Sequence, residues 1–201
     1  MVEAVGTLPL FPLHAVLVPG ARLDLRIFEP RYLDMVRDCG RSGSGFGVCL
    51  ILAGEETGAA ATPAAWGTEA VIEDFGTTPE GLLALRVRGT RRFQVTRTRV
   101  RDNGLLVGEV AFREDVSAAP AGSLQLRPEH ALLAELLRRI LLQIASDHAE
   151  PAPMLFENAA WVGWRLAELL PLPMAQRQEL LQLDDPHARL QRLLDGITEH
   201  A

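Results

Sequence analysis

The sequence predicts an α+β protein, a mostly antiparallel β-barrel with one inserted helix followed by an α-helical bundle. Three observations predict it. Up to Phe112, apolar residues alternate with polar ones or form short continuous runs, which is the period of strands. Beyond Pro128 they recur at i, i+3, i+4 and i+7, which is the period of helices. Between the two lies 113–126, rich in Ala, Ser, Pro and Gly, and the boundary is placed there, with 1–117 as the barrel and 118–201 as the helical bundle.

Each element has its own signal. Leu8 to Leu13 carries Pro9 and Pro12, which predicts an edge strand or an extended entry, because proline has no N–H for a central ladder. Leu23-Asp24-Leu25-Arg26-Ile27 alternates strictly, so one face is apolar and the other charged. Pro30 suits a first helical position, and Tyr32, Met35, Val36 and Cys39 then share one face, with Gly40 expected to end the helix. Residues 46–52 form an apolar run fit for a buried strand. The stretch 54–65, mostly Gly, Ala, Thr and Pro, reads as a mobile loop. Strands are expected over 68–75, 82–88, 93–100 and 105–112, the last two joined by the turn Asp102-Asn103-Gly104. Short antiparallel strands joined by turns suggest a closed or partly closed barrel.

In the second half, Pro128 opens a wide leucine and isoleucine stripe running to Ile144. Asn158 is placed to cap a helix bearing Trp161, Val162, Leu166, Leu169 and Leu170, which Pro171 and Pro173 break. A short helix follows over 175–183. Asp185-Pro186 opens the last, where Leu190, Leu193, Leu194 and Ile197 repeat the helical spacing. Trp161 and Trp164 are expected to pack the helical part against the barrel.

Composition narrows the chemistry. All 20 basic residues are arginine. Without lysine there is no phosphate-cradling P-loop, no Ser–Lys hydrolytic dyad and no Schiff base. The net charge of −6 gives the whole molecule no bulk attraction for nucleic acid or anionic lipid. Cys39 and Cys49 are too few for a disulfide framework and read as buried apolar residues. The N-terminus lacks a basic signal-peptide region, and no run approaches the length of a membrane span. A cytoplasmic protein without membrane attachment is therefore expected.

The stretch Gly40-Arg41-Ser42-Gly43-Ser44-Gly45 leads from helix into strand, the wrong direction for a phosphate cradle, and reads as a helix stop. His14, His130, His148, His187 and His200 share no metal-ligand spacing and read as surface residues, so no metal or cofactor is expected. Ser42, Ser44, Ser117, Ser123 and Ser146 lie in expected loops, with no sign of a triad. Arg86, Arg88, Arg91, Arg92, Arg97, Arg99 and Arg101 form the sharpest charge feature. They read either as a solvated strand face paired with Asp and Glu, or as a stripe for RNA phosphates or an acidic peptide.

Three groups of residues carry a family resemblance. The first is Leu8-Pro9-Leu10-Phe11-Pro12-Leu13, then Val16-Leu17-Val18-Pro19-Gly20, then the run from Leu23 through Phe28-Glu29-Pro30-Arg31-Tyr32. The second is Phe46-Gly47-Val48, Gly67-Thr68-Glu69-Ala70 and Gly89-Thr90-Arg91-Arg92-Phe93. The third, in the helical part, is Trp161, 165–173 and 180–185. Together they resemble the N-terminal domain of Lon proteases, and in particular stand-alone bacterial proteins made of that domain. The resemblance implies a PUA-like barrel followed by a helical bundle. It also implies a non-enzymatic module that recognises polypeptides, since this chain ends before an ATPase or peptidase module could begin. The binding residues expected are Phe11, Phe28, Glu29, Arg31, Tyr32, Arg91 and Arg92; in the plainer reading Glu29 and Arg31 form structural ion pairs with Arg91 or Arg92, and the motif specifies the fold without being a site. The alternative is RNA or nucleotide binding, because PUA-like barrels are also known for RNA recognition.

Overall fold

The computed structural model describes residues 4–58, 61–113, 124–144 and 151–199. The chain divides into two compact units, Met1–Glu114 and Asp115–Ala201. The expected boundary at 117/118 lies outside the described residues, as do His148, His200, Ser117, Ser123 and Ser146.

The first unit contains β1 (Val5–Leu13), β2 (Arg22–Ile27), α1 (Pro30–Ser42), β3 (Phe46–Ala53), β4 (Thr62–Thr77), β5 (Leu83–Val100) and β6 (Leu106–Arg113). The sheet order is β2-β5-β4-β3-β1-β6, and β5 pairs again with β6. That second pairing closes β1, β3, β4, β5 and β6 into a ring and leaves β2 outside it, paired among the described residues with β5 alone. Only β1–β3 is parallel, so the sheet is mostly antiparallel as expected.

Four expectations about elements are corrected. β1 is not an edge. Val5 to Pro9 pair with β6 and Leu10 to Leu13 with β3, so each registered residue has a ladder on one side only. A proline there can turn its missing N–H to the side that has no ladder. β5 is one strand of 18 residues where two were expected. Gly89 does not interrupt it, because its N–H and carbonyl bond to Ala21 and Gly20. β4 starts at Thr62, inside the segment expected to be a loop. α1 continues past Gly40 and ends at Gly43, whose φ of 67° is the left-handed conformation that stops a helix at low cost.

The barrel interior is organised around Phe93, which is fully buried among Leu8, Leu10, Cys49 and Val110. Room for its ring comes from two glycines. A Cβ at Gly47 or at Gly67 would lie 2.6 Å from the Phe93 ring. Phe112 and Leu106 complete this cluster from β6.

The second unit holds α2 (Ala131–Ile144), preceded by a 3-10 turn at Pro128–His130, then α3 (Ala159–Leu169), α4 (Met174–Gln182) and α5 (Pro186–Glu199). α3 packs against α2 and α5. Asn158 caps α3 as predicted, its side chain accepting from the Trp161 N–H at 2.9 Å. Asp185 does the same for α5, accepting from His187 N–H at 2.8 Å. Trp164 is buried within this unit, with the Arg189 guanidinium 3.4 Å from its ring centre, and Arg189 also donates to the Leu180 and Leu183 carbonyls. The surface reading of two histidines is corrected: His130 and His187 are both buried, their rings stacked at 5.7 Å. Among the described residues no helix is long and apolar enough to cross a membrane.

Candidate functional site

The barrel unit carries a cleft of about 300 Å³ beside β2. Phe11 and Leu13 reach it from the end of β1, Leu25 and Ile27 from β2, Tyr32 from the first turn of α1, and Phe28 from the link between them. Phe11 and Tyr32 meet edge to face at 4.2 Å, and Phe11 meets Phe46 in the same way at 6.0 Å. All three rings are buried, and those of Phe11 and Tyr32 form the cleft floor. Phe28 is 53% exposed and forms its outer wall.

Charge is arranged around that floor. Glu29 is the residue before α1 in extended conformation, and Pro30 then supplies the fixed φ of the first helical turn. Arg31 is 7% exposed. Its guanidinium pairs with Glu29 at 3.0 Å, donates to the Gly104 carbonyl at 3.2 Å and lies 4.6 Å from the Tyr32 ring centre. Glu29 also accepts the Gly58 N–H at 3.4 Å, and Glu56 accepts the His14 N–H at 2.7 Å. The segment 56–58 is thereby tied to the rim of the cleft. Burial pushes the Tyr32 phenol above its ordinary pKa; Arg31 opposes that shift, while Glu29 and Glu56 add to it.

Four of the seven residues expected at a binding site, Phe11, Phe28, Glu29 and Tyr32, therefore line one cleft, and Arg31 stands behind Glu29. Arg91 and Arg92 do not line it. Arg91 pairs with Glu69 at 2.7 Å and lies 3.6 Å over the Phe112 ring. Arg92 is 2% exposed, with its guanidinium 5.6 Å from the Trp66 ring centre. The expected ion pairs of Glu29 with these arginines are corrected to Glu29–Arg31 and Glu69–Arg91. Sequence reasoning missed the charged and polar lining residues Asp24, Arg26, Glu56 and Thr57 and the apolar ones Leu13, Leu25 and Ile27. The alternation of β2 was the available signal for Asp24, Leu25, Arg26 and Ile27, and nothing local marks the others.

Much of the arginine stripe is neutralised on the sheet. Arg86 makes two hydrogen bonds to Asp24, at 2.8 and 3.2 Å, which hold that carboxyl below its ordinary range. Arg22 and Arg88 flank Glu73 at 2.8 and 2.7 Å, and the Arg22 hydrogen bond is the main cause of its lowered pKa. Arg97, Arg99 and Arg101 are exposed and carry no ion pair among the described residues. Among the described residues no group of three or more His, Cys, Asp or Glu is placed to hold a metal ion.

Residues 7–199 match the family model of the ATP-dependent protease La (LON) substrate-binding domain. The crystal structure of a Lon N-terminal domain protein from Xanthomonas campestris is 57% identical, with a TM-score of 0.77, covering 94% of this chain and 98% of that one. The N-terminal domain of Mycobacterium avium complex Lon protease shares the fold at 19% identity and a TM-score of 0.66, covering 98% of this chain and 100% of that one. With the match spanning nearly its whole length, the chain belongs to the family of Lon protease substrate-binding domains.

Proposed function

We propose that this chain is a non-enzymatic recognition module that binds polypeptides in the cleft formed by Phe11, Phe28, Glu29 and Tyr32. One observation carries the reading: residues from β1, the β2–α1 link and α1 converge on a single open cleft with an aromatic floor and a half-exposed Phe28 at its wall. An aromatic wall suits exposed apolar side chains of another chain, while the rim carboxylates suit its backbone amides. The 201 residues contain no lysine, so neither a P-loop cation nor a Ser–Lys dyad can be built from them. Both cysteines are buried and unpaired, which suits a reducing, cytoplasmic setting.

The test is a fluorescence-polarisation titration with labelled, permanently unfolded casein. Phe28→Ser exposes no new core and is expected to weaken binding roughly tenfold or more with unchanged thermal stability. Equal binding by wild type and Phe28→Ser would remove the cleft from the reading. A second reading is favoured by Arg97, Arg99 and Arg101, exposed and without an ion pair among the described residues, which offer a local phosphate-binding patch. A labelled single-stranded RNA that binds with steep salt dependence, and loses binding in the triple Arg→Gln variant, would establish it instead.

A further inference from the structure

The cleft has a second property that side chains alone do not show: one of its walls is an unpaired strand edge. β2 has β5 on one side and, among the described residues, no strand on the other. The phase of its ladder follows from the register. Gly89 N–H donates to the Ala21 carbonyl at 2.9 Å, and the pairing then runs unbroken from Arg22↔Arg88 to Ile27↔Leu83. In an antiparallel pair the bonded residues alternate, so Leu23, Leu25 and Ile27 bond to β5. The N–H and C=O groups of Arg22, Asp24 and Arg26 consequently point away from β5, and Asp24 and Arg26 are among the residues that line the cleft. Among the described residues no strand pairs with them.

Sheet edges are commonly blunted by charged side chains that obstruct a newcomer. Here two of the three charged side chains on the edge are drawn back across the sheet. Arg22 is held by Glu73 of β4 and Asp24 by Arg86 of β5. Arg26 has no ion pair among the described residues. The cleft charges nearly cancel: Glu29 is matched by Arg31, Asp24 by Arg86, and Glu56 is balanced by the single cation of Arg26. A strand laid beside β2 at the usual spacing of about 4.8 Å would turn alternate side chains to the face of Leu25 and Ile27, over the Phe11, Leu13 and Tyr32 floor.

We infer that the cleft captures its polypeptide by strand addition. An extended, uncharged segment with apolar residues at alternate positions, the kind exposed when a β-strand is unfolded, pairs with the outward backbone groups of Asp24 and Arg26 and seats an apolar side chain on the aromatic floor. The inference rests on the polypeptide-binding reading and adds to it a class of ligand and a binding geometry. It excludes helical segments and strongly charged ones.

The experiment uses the full chain and a fluorescein-labelled peptide of alternating threonine and valine with one central phenylalanine. Its partner is the same peptide with alternate backbone amides N-methylated, in both registers. One N-methylated register is expected to bind roughly tenfold more weakly than the parent, because its side chains are kept and two or more backbone bonds are lost. The parent peptide is also expected to slow amide hydrogen exchange at Asp24 and Arg26. Arg26→Pro removes one outward N–H without touching the β5 ladder, and a correctly folded variant is expected to lose a similar factor. Parent binding that is equal in both methylated registers, or that leaves Asp24 and Arg26 exchanging freely, overturns strand addition and leaves the aromatic cleft as a side-chain site. No binding of either the parent or unfolded casein overturns the polypeptide reading itself, and strand addition with it.

Discussion

Arg31 donates to the Glu29 carboxylate at 3.0 Å while its guanidinium lies 4.6 Å from the Tyr32 ring centre. One buried cation therefore braces both the start of α1 and the aromatic floor of the cleft. Glu29→Gln keeps the shape and removes the counter-charge. It is expected to lower stability by about 1–3 kcal/mol in urea unfolding, because Arg31 would stay buried with only neutral acceptors. A double variant in which Arg31→Met joins Glu29→Gln is expected to recover part of that loss, since the methionine retains the stacking volume without an unmatched charge.

Tyr32 is the chain's one tyrosine, so near-ultraviolet absorbance follows its ionisation without interference from other phenols. Its pKa is raised chiefly by burial. The folded protein should thus titrate above the ordinary value near 10, and the unfolded protein close to it. The sign follows: the contribution of the neutral phenol is fully present below the unfolded pKa and is lost as pH rises through the folded one. Unfolding midpoints should fall across that window in the wild type and be flatter in Tyr32→Phe.

Gly67 sits where β4 crosses the barrel interior. A Cβ there would lie 2.5 Å from the Val48 carbonyl oxygen and 2.7 Å from Cys49 Sγ. Gly67→Ala is expected to cost about 1–3 kcal/mol by overpacking. Gly40, in α1, has nothing within 4 Å of its would-be Cβ. Gly40→Ala is expected to stabilise by about 0.5–1 kcal/mol through helix propensity. Denaturant midpoints that moved the same way in both would contradict the packing described.

Neither ring nitrogen of His130 has a hydrogen-bond partner among the described residues, although the side chain is 2% exposed. A buried polar group without a partner is a cost, so His130→Phe should leave thermal stability unchanged or raise it. His130→Ala should lower it by removing the ring stacked on His187.

The elements that could be read from the chain were those decided within a few residues. Pro30 with Tyr32, Met35 and Cys39 announces α1, Asn158 announces the cap of α3, and the leucine spacing after Pro186 announces α5, because capping bonds and helical faces are local. Gly43, rather than Gly40, ends α1 because a helix stops where the backbone enters the left-handed region, and both glycines permit that equally. The gathering of Phe11, Phe28, Glu29 and Tyr32 was suggested by a family resemblance rather than by their spacing.

What the sequence determined by itself is the order of the architecture, barrel strands and then helices, together with the chemistry that an all-arginine composition forbids. What only the tertiary structure decided is who pairs with whom. Asp24 and Arg86 are 62 residues apart, and no local pattern joins them. The prolines of β1 suggested an edge, yet β1 lies between β3 and β6, and β2 became the edge because β5 closes on β6. Alternation along a strand records which face is buried. Strand neighbours are chosen by the register and closure of the whole sheet, and that choice left the backbone of β2 open beside an aromatic cleft.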